Sequence, residues 1–179
     1  MKRANINDLL MRLNQKLVEA NERKEIVICG GAAMILGQHN REETQDVDML
    51  RPDKDQLLQK LSREIAIETG SIRPDWLNSN CSAFIFEYPL PENWEDRLVV
   101  KLSSSHLVVK SLCDEDLLFT KICAHVDREM DEEDVRLLAQ DKRMFLKSVD
   151  QVLQLKRYQS LETEMIIDEL KIRLGFDDE

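Results

Sequence analysis

The sequence predicts an α+β protein in which a mixed β-sheet is flanked by helices and followed by a C-terminal helical region. Two observations favour this fold class. Short β-branched runs are confined to residues 1–112, where they alternate with segments of helical periodicity. From Asp114 onward, each apolar segment has the spacing of a helix. We therefore expect an α/β core over residues 1–112 and a helical region over residues 113–179 that packs on it.

The first half of the chain alternates helices and strands. Residues 5–22 place apolar side chains three and four positions apart, which predicts an amphipathic helix. The run EIVIC predicts a buried strand, AAMILGQH a short helix, and QDVDML a second strand with a period of two. The segment that begins with Pro52 predicts a helix that ends at Gly70, and the segment SIRPDWLNSN predicts a loop after it.

Three further strands precede the helical region. The runs SAFIFEY, RLVVKLS and HLVVKSL are rich in β-branched and aromatic residues, which are typical of strands. Helical periodicity then returns in DEDLLFTKICAHVD, DEEDVRLLAQ, FLKSVDQVLQLKRY and ETEMIIDELKIRLG. The strands of the predicted sheet therefore all come before the C-terminal helices, as in other α+β proteins.

Composition and charge limit the function classes. Hydrophobic residues form 42% of the chain and are spread along it, which indicates a folded domain although 34% of the residues are charged. No apolar run approaches the roughly 20 residues that span a bilayer, and the N-terminus resembles no signal peptide, so we expect a cytoplasmic protein without a membrane partner. A net charge of −10 argues against a surface that binds nucleic acid over its whole extent.

The cysteines give no sign of a metal site. They are scattered along the chain, without the CxxC spacing that zinc sites use, at Cys29, Cys81, Cys113 and Cys123. The same scatter provides no evident disulfide framework. We therefore interpret the four cysteines as buried thiols in a reducing compartment.

Residues 29–50 read CGGAAMILGQHNREETQDVDML and contain a glycine pair and an acid pair. Gly30 and Gly31 follow a predicted strand and open a predicted helix, where backbone amides can approach phosphate oxygens closely. Asp46 and Asp48 alternate on the next predicted strand, so their carboxylates should project to one face. Such carboxylates repel each other unless a cation lies between them, and Mg²⁺ is commonly held by one or two carboxylates plus substrate phosphates.

Each of these two features also has a simpler interpretation. A glycine pair before a helix is often only a tight turn, and two alternating aspartates are often a solvated strand end. Their order within one segment, with basic and hydroxyl residues between them, is much less common by chance. The segment therefore predicts a place where phosphates and a metal ion meet.

The same segment resembles the first motif of the DNA polymerase β-like nucleotidyltransferase superfamily, in which a GG or GS turn precedes an acid-x-acid pair. Within that superfamily it is most similar to the small bacterial branch near the AbiEii abortive-infection toxins. The branch pattern is GG-x-A followed by R-x-x-T-x-D-hydrophobic-D, matched here by Gly30, Gly31, Ala33, Arg41, Thr44, Asp46 and Asp48. A later motif of the branch is similar to residues 114–138, with matches at Asp116, Leu117, Lys121, Ala124, Arg128, Asp131 and Asp134.

The resemblance implies a nucleotidyltransferase-like fold and a reaction. A nucleoside monophosphate would pass from a Mg²⁺-bound nucleoside triphosphate, ATP or another, to an acceptor, with release of pyrophosphate. Asp46 and Asp48 would be catalytic residues and metal ligands. The nucleotide would be bound by Gly30, Gly31, Arg41, Thr44 and Lys121. The acceptor stays open among nucleic acids, proteins and small molecules, because the fold alone does not select one.

One expected feature of active members is less clear in this sequence. They carry a third carboxylate on a later strand, and the only acid inside a β-like run is Glu87, which is the candidate for this catalytic role. In RLVVKLS the comparable residue is Lys101, a cation. A second hypothesis is therefore a non-catalytic module that senses nucleotide or binds an antitoxin-like protein partner in a toxin–antitoxin pair. A third is a helical interaction protein in which the two motifs have no joint role.

Overall fold

The computed structural model describes residues 1–82 and 89–177, and it confirms the predicted fold class. The first elements are α1 (Arg3–Glu19), β1 (Lys24–Cys29), α2 (Gly30–Leu36), β2 (Val47–Arg51), α3 (Gln56–Thr69) and β3 (Leu77–Asn78). A short 3-10 helix, Trp94–Arg97, precedes β4 (Val99–Ser103) and β5 (Leu107–Ser111). The remaining helices are α4 (Asp114–Arg128), α5 (Glu132–Leu138), α6 (Lys142–Gln154) and α7 (Leu161–Leu174), with a 3-10 turn at Lys156–Tyr158.

The chain divides into two compact units. Among the described residues, the first unit contains residues 1–82 and 95–112, and the second contains residues 89–94 and 113–177. The described strands all belong to the first unit, and α4 to α7 belong to the second. No helix in either described range has both the length and the apolar character that crossing a bilayer requires.

The first unit is built on a five-stranded mixed sheet in the order β3-β2-β1-β5-β4. β1 pairs antiparallel with β2 and parallel with β5, while β2 pairs parallel with the short β3. The central strands are buried because β-branched and other apolar residues fill them, among them Ile26, Ile28, Val47, Met49 and Val109. β1 and β2 therefore lie side by side within the sheet, and the glycine pair follows β1 directly.

Helices α1 and α3 complete the core of this unit. The buried residues of α1 recur at helical spacing, at Ile6, Leu9, Leu10, Leu13 and Leu17, and this face packs against α2, α3 and β5. α3 begins where the Asp55 side chain accepts a hydrogen bond from the Leu58 amide, and it ends at the left-handed Gly70. Both ends of α3 are thus fixed by local sequence signals.

The second unit is an assembly of helices around α4. Helix α4 packs against α5, α6 and α7. Its buried apolar side chains include Leu117, Leu118, Phe119 and Ile122. The Tyr158 hydroxyl lies within hydrogen-bond distance of two acceptors, the Cys123 carbonyl at 3.3 Å and the Asp127 carboxylate at 3.2 Å, which share its one proton. Side-chain caps start α6 at Asp141 and α7 at Ser160.

The structure corrects three local predictions. β3 lies within the segment predicted as a loop, because the Trp76 carbonyl accepts a hydrogen bond from the Val47 amide and the next residues pair with β2. α2 includes the glycine pair and stops at Leu36, so Gly37, Gln38 and His39 follow the helix. β2 begins at Val47, which leaves Asp46 outside the strand. Residues 83–88 of the predicted strand SAFIFEY lie outside the described residues.

Candidate functional site

Gly30 occupies a position that no other residue type fits well. It follows the last residue of β1 and has a φ of +64°, the left-handed region that favours glycine. A Cβ at this position would lie 2.9 Å from Asp48 Oδ2, closer than carbon and oxygen approach without a shift. The carboxylate comes this close because β1 pairs antiparallel with β2, with Cys29 opposite Asp48. Glycine is therefore required both by the backbone conformation and by the neighbouring acid.

Gly31 is crowded by two other motif residues. A Cβ on Gly31 would lie 2.8 Å from Thr44 Oγ1 and 2.9 Å from Arg41 Nε. Arg41 Nε also donates a hydrogen bond to the Glu43 carbonyl, and the Thr44 amide donates one to the Met1 carbonyl. The loop after α2 thus returns to the start of α2 and holds a guanidinium and a hydroxyl against its backbone.

The sequence motif is therefore a real spatial cluster. We call it the turn cluster, and it consists of Gly30, Gly31, Arg41, Thr44 and Asp48. The side chains of Arg41, Thr44 and Asp48 are neither fully buried nor fully exposed, so ligand atoms can reach them. A cation, a hydroxyl and a carboxylate lie against glycine backbone, and these groups are of the types that contact phosphate oxygens and their metal ion.

Asp46 is positioned in a different way from the one that strand alternation predicts. It directly precedes β2, so the pleat of the strand does not set its direction. Its Oδ2 accepts a hydrogen bond of 3.4 Å from Asn78 Nδ2 instead. Asn78 in turn lies beside Asp48 in the parallel pairing of β2 with β3. No sequence signal selects Asn78, because only the strand pairing brings that amide to the acid pair.

A second charged group lies near Asp46. Arg73 forms a two-pronged ion pair with Asp75, in which the shortest distance between nitrogen and oxygen is 2.7 Å. The pKa of Arg73 is raised, chiefly by this hydrogen bond and to a smaller extent by the charge of Asp46. Arg73 Nη1 also donates a hydrogen bond to the Gln45 side chain. Asp46 is thus bordered by the Asn78 amide on β3 and by the Arg73 guanidinium in the loop that precedes β3.

Lys121 lies in the second unit, on α4. Its Nζ is 2.8 Å from Asp131 Oδ1 and 2.5 Å from Asp134 Oδ2, and its side chain is only 12% exposed. Arg128 contacts Asp131 as well, at 2.8 Å. Burial, the largest influence, raises the pKa of Asp131, but the hydrogen bond and charge of Lys121 together with Arg128 bring it below its ordinary value. The residues of the second motif therefore neutralise one another, and a phosphate-binding role for Lys121 stays a prediction.

The remaining site prediction is the third carboxylate. Glu87 lies outside the described residues, so its catalytic role also stays a prediction. Within the ranges 1–82 and 89–177, no three His, Cys, Asp or Glu residues form a group that can hold a metal ion. Asp46 and Asp48 supply hard oxygen donors, which suit Mg²⁺ when substrate phosphates and waters complete its shell. The donor chemistry of the acid pair therefore fits a metal that arrives together with a nucleotide.

Comparison with known proteins identifies the family. No curated protein sequence and no solved structure matches the chain significantly. One family model does match, over residues 4–175, and it describes a nucleotidyltransferase of unknown function (DUF6036). The match includes the turn cluster, Asp46 and the second motif on α4 and α5. The branch near the AbiEii toxins stays a prediction, whereas the nucleotidyltransferase assignment is confirmed: the chain belongs to this family of nucleotidyltransferases of unknown function.

Proposed function

We propose that this protein binds a Mg²⁺-nucleoside triphosphate at the turn cluster and transfers its nucleoside monophosphate to an acceptor, releasing pyrophosphate. The observation that carries the proposal is the convergence of Arg41, Thr44 and Asp48 on the glycine pair. Side chains that are 10 to 18 positions away from the glycines by residue number meet the backbone where a Cβ would stand. That arrangement gathers a cation, a hydroxyl and a carboxylate where β1 ends and α2 begins, and these groups suit a phosphate chain and its metal ion.

The residues divide the work in the following way. The backbone at Gly30 and Gly31 receives phosphate oxygens, and Arg41 supplies a guanidinium that pairs with their negative charge. The Thr44 hydroxyl donates a further hydrogen bond. Asp46 and Asp48 hold the Mg²⁺, with Asn78 orienting Asp46 through the hydrogen bond between their side chains. When bound, Mg²⁺ neutralises developing charge on the phosphates, which is the main requirement of phosphoryl-type transfer.

Two finer assignments belong to the same proposal. Glu87 is the candidate third carboxylate, and it would accept the proton of the acceptor hydroxyl. Lys121 is a candidate for phosphate only if ligand binding releases it from Asp131 and Asp134, to which it is now paired. The likeness to the AbiEii branch extends the proposal to a toxin-like role with an antitoxin-like partner, and the acceptor then includes nucleic acids, proteins or small molecules.

A second candidate function is nucleotide binding without transfer. The observation that favours it is that, among residues 1–82 and 89–177, Asp46 and Asp48 belong to no group of three His, Cys, Asp or Glu residues that can hold a metal ion. Such a protein would sense nucleotide or bind a protein partner. The two candidates share the binding site and differ only in whether a covalent product forms.

Thermal unfolding with each of the four ribonucleoside triphosphates, with and without Mg²⁺, tests the shared site. A ligand at a hundredfold over its Kd stabilises by about 2.7 kcal/mol, and each kcal/mol raises the Tm of a chain of this size by roughly 2 to 4 °C. We expect a Mg²⁺-dependent shift that disappears in the Asp46→Asn, Asp48→Asn double variant. The control is Asp8→Asn, an exposed acid of α1 that pairs with Arg12, and it should retain the full shift.

The outcome also separates the two candidate functions. If no triphosphate raises the Tm of the wild type, or if the double variant keeps the shift, the site is wrong. If the nucleotide binds, incubation with its α-labelled form and candidate acceptors tests for transfer, with pyrophosphate release as the second readout. A labelled product that Glu87→Gln abolishes while nucleotide binding persists supports the transferase. Binding without pyrophosphate release from any acceptor class supports the sensing module.

A further inference from the structure

Two thiols meet at the edge of the turn cluster, and the proposed function makes no use of them. Cys29 Sγ and Cys81 Sγ are 3.5 Å apart, although 52 residues separate them in the chain. Both are in the thiol form. Cys29 is the last residue of β1 and directly precedes Gly30, while Cys81 follows β3 by three residues. A contact between sulfurs at this distance calls for an explanation in terms of cysteine chemistry.

The sheet itself brings the two cysteines together. Cys29 lies opposite Asp48 in the antiparallel pairing, and Asp48 lies beside Asn78 in the parallel pairing. After β3 the chain turns back, because the Asn80 amide donates a hydrogen bond to the Asn78 side chain. The Ser82 amide and hydroxyl likewise donate to the Ser79 carbonyl. Cys81 lies in this turn, and the hydrogen bonds of the turn fix the backbone that carries its thiol.

Bond formation needs only a small movement. A disulfide has an S–S distance of about 2.05 Å, so the two sulfurs must approach by about 1.5 Å. Cys81 is partly exposed and accessible to a small oxidant, whereas Cys29 is 9% exposed. This combination of one accessible sulfur and one sheltered neighbour is typical of a redox pair, in which the first thiol is oxidised and the second resolves it.

The other two cysteines lack these properties. Cys123 is fully buried on α4, and burial raises the pKa of its thiol to about 12, so almost no thiolate is present at neutral pH. Cys113 Sγ contacts the Asp116 carboxylate at 3.2 Å instead of another sulfur. Cys113 provides an internal control, because it is partly exposed like Cys81 while its sulfur contacts a carboxylate.

We propose that Cys29 and Cys81 form a reversible disulfide when the protein meets a peroxide. The Cys81 thiolate attacks the O–O bond of hydrogen peroxide, which yields a sulfenic acid on Cys81 and one water after proton transfer. The Cys29 sulfur then attacks the Cys81 sulfur and expels the second water. In total, two thiols lose two electrons and two protons, and one peroxide becomes two waters. A dithiol reductant reverses the reaction.

The disulfide would control the site that follows it. A bond at Cys29 draws the end of β1 toward the β3 turn, and the next residue is Gly30, whose left-handed conformation and close contact with Asp48 leave little freedom. We expect oxidation to lower nucleotide affinity by about tenfold, as the loss of one hydrogen bond to a charged phosphate would. This regulatory effect rests on the proposed function, whereas formation of the disulfide does not.

The first experiment therefore follows the disulfide alone. The full chain is titrated with hydrogen peroxide, remaining thiols are alkylated under denaturing conditions, and intact mass and peptide mapping identify the bond. We expect wild type to lose two thiols and two hydrogen atoms, with a Cys29–Cys81 cross-linked peptide that dithiothreitol removes. The Cys113→Ser variant should behave identically, and Cys81→Ser should form no cross-link. Peroxide that produces only sulfinic acid, or a cross-link that involves Cys113, overturns the proposal.

The second experiment measures nucleotide binding of the reduced, oxidised and re-reduced protein by thermal shift. A tenfold weaker binding after oxidation, restored by dithiothreitol and absent in Cys81→Ser, supports control of the site. Equal affinity in both redox states overturns that control even if the disulfide forms. If the reduced wild type binds no triphosphate, the proposed function fails together with the regulatory effect, and the mass measurement still decides the disulfide.

Discussion

The turn cluster and the second motif contain similar types of charged residue, but they arrange these residues differently. In the second unit, Lys121 and Arg128 lie within 2.8 Å of Asp131, and Lys121 also pairs with Asp134, so each charge has a partner within the protein. In the first unit, Asp48, Thr44 and Arg41 approach two glycines, and space for them exists only because a Cβ is missing. We call Lys121, Arg128, Asp131 and Asp134 the Lys121 cluster.

This difference distinguishes charged residues that stabilise the fold from charged residues that contact a ligand. Charges that neutralise one another in a buried place stabilise the fold and need no ligand. Charges gathered around glycine backbone at the end of β1 form a surface that can also contact a charged ligand. Four predictions break or sharpen this comparison, beginning with the largest expected effect.

Loss of the buried lysine should produce the largest effect. Lys121→Met leaves Asp131 and Asp134 buried without their shared cation, so we expect the free energy of unfolding to fall by about 3 to 5 kcal/mol, measured by urea denaturation. The control is Lys147→Met, which breaks the exposed ion pair with Glu115 and should cost less than about 1 kcal/mol. If Lys121→Met instead weakens nucleotide binding and leaves stability unchanged, the Lys121 cluster belongs to the binding site.

The second prediction compares two glycines with the same backbone conformation. Gly30 has φ +64° beside Asp48, while Gly70 has φ +69° and has nothing within 4 Å of the position that a Cβ would occupy. Gly70→Ala should lose about 1 to 2 kcal/mol of stability, because a Cβ is unfavourable in the left-handed region. Gly30→Ala should lose more, because its Cβ would also lie 2.9 Å from Asp48 Oδ2. Only Gly30→Ala should also lose the Mg²⁺-nucleotide thermal shift. Equal nucleotide binding by the two variants would contradict a role for the turn cluster.

A third prediction concerns the guanidinium of the turn cluster. Arg41→Gln should weaken triphosphate binding by about tenfold, because a charge-assisted hydrogen bond is lost. The free energy of unfolding should stay within about 0.5 kcal/mol of wild type, since the side chain is not part of the buried core. Isothermal titration provides the affinity, and Arg12→Gln on α1 is the matched control. A large loss of stability in Arg41→Gln would place Arg41 with the structural charges instead.

The smallest effect is a pH dependence within the second unit. His125 is buried, its Nδ1 has no hydrogen-bond partner among residues 1–82 and 89–177, and burial, the largest influence, lowers its pKa. The unfolded chain therefore takes up a proton near pH 6.5 that the native protein refuses, so stability is complete above about pH 6.5 and decreases below it. Asp131, Glu132 and Glu129 oppose this lowering, and Arg173 adds to it.

The measurement is the change in Tm from about pH 7.5 to about pH 5.5, the interval in which an unfolded histidine titrates. Wild type should lose stability over this interval, and His125→Gln should lose less. The control variant His106→Gln, directly before β5, should follow wild type. If Tm depends on pH in both histidine variants as it does in wild type, His125 does not determine the pH dependence of stability.

Sequence patterns predicted most of the elements of the fold. Helical periodicity located α1 and α3, and local signals explain their ends, such as the Asp55 cap and the left-handed Gly70. Strand-like runs located β1, β4 and β5 for a similar reason, since β-branched residues favour buried strands wherever they pair. β3 escaped prediction because two residues, Leu77 and Asn78, carry no periodicity, and their pairing with β2 is a tertiary contact.

By itself the sequence determined the order of most elements, without β3, and the chemical identity of the turn cluster, because periodicity, capping and a spaced motif are properties of the chain. Only the tertiary structure decided which residues meet. Because of strand pairing, Asp48 lies against Gly30, Asn78 contacts Asp46, and Cys29 contacts Cys81. Helix packing paired Lys121 with two aspartates of the same unit. Spacing along a chain does not specify contacts between distant segments, which depend on how the sheet and helices assemble.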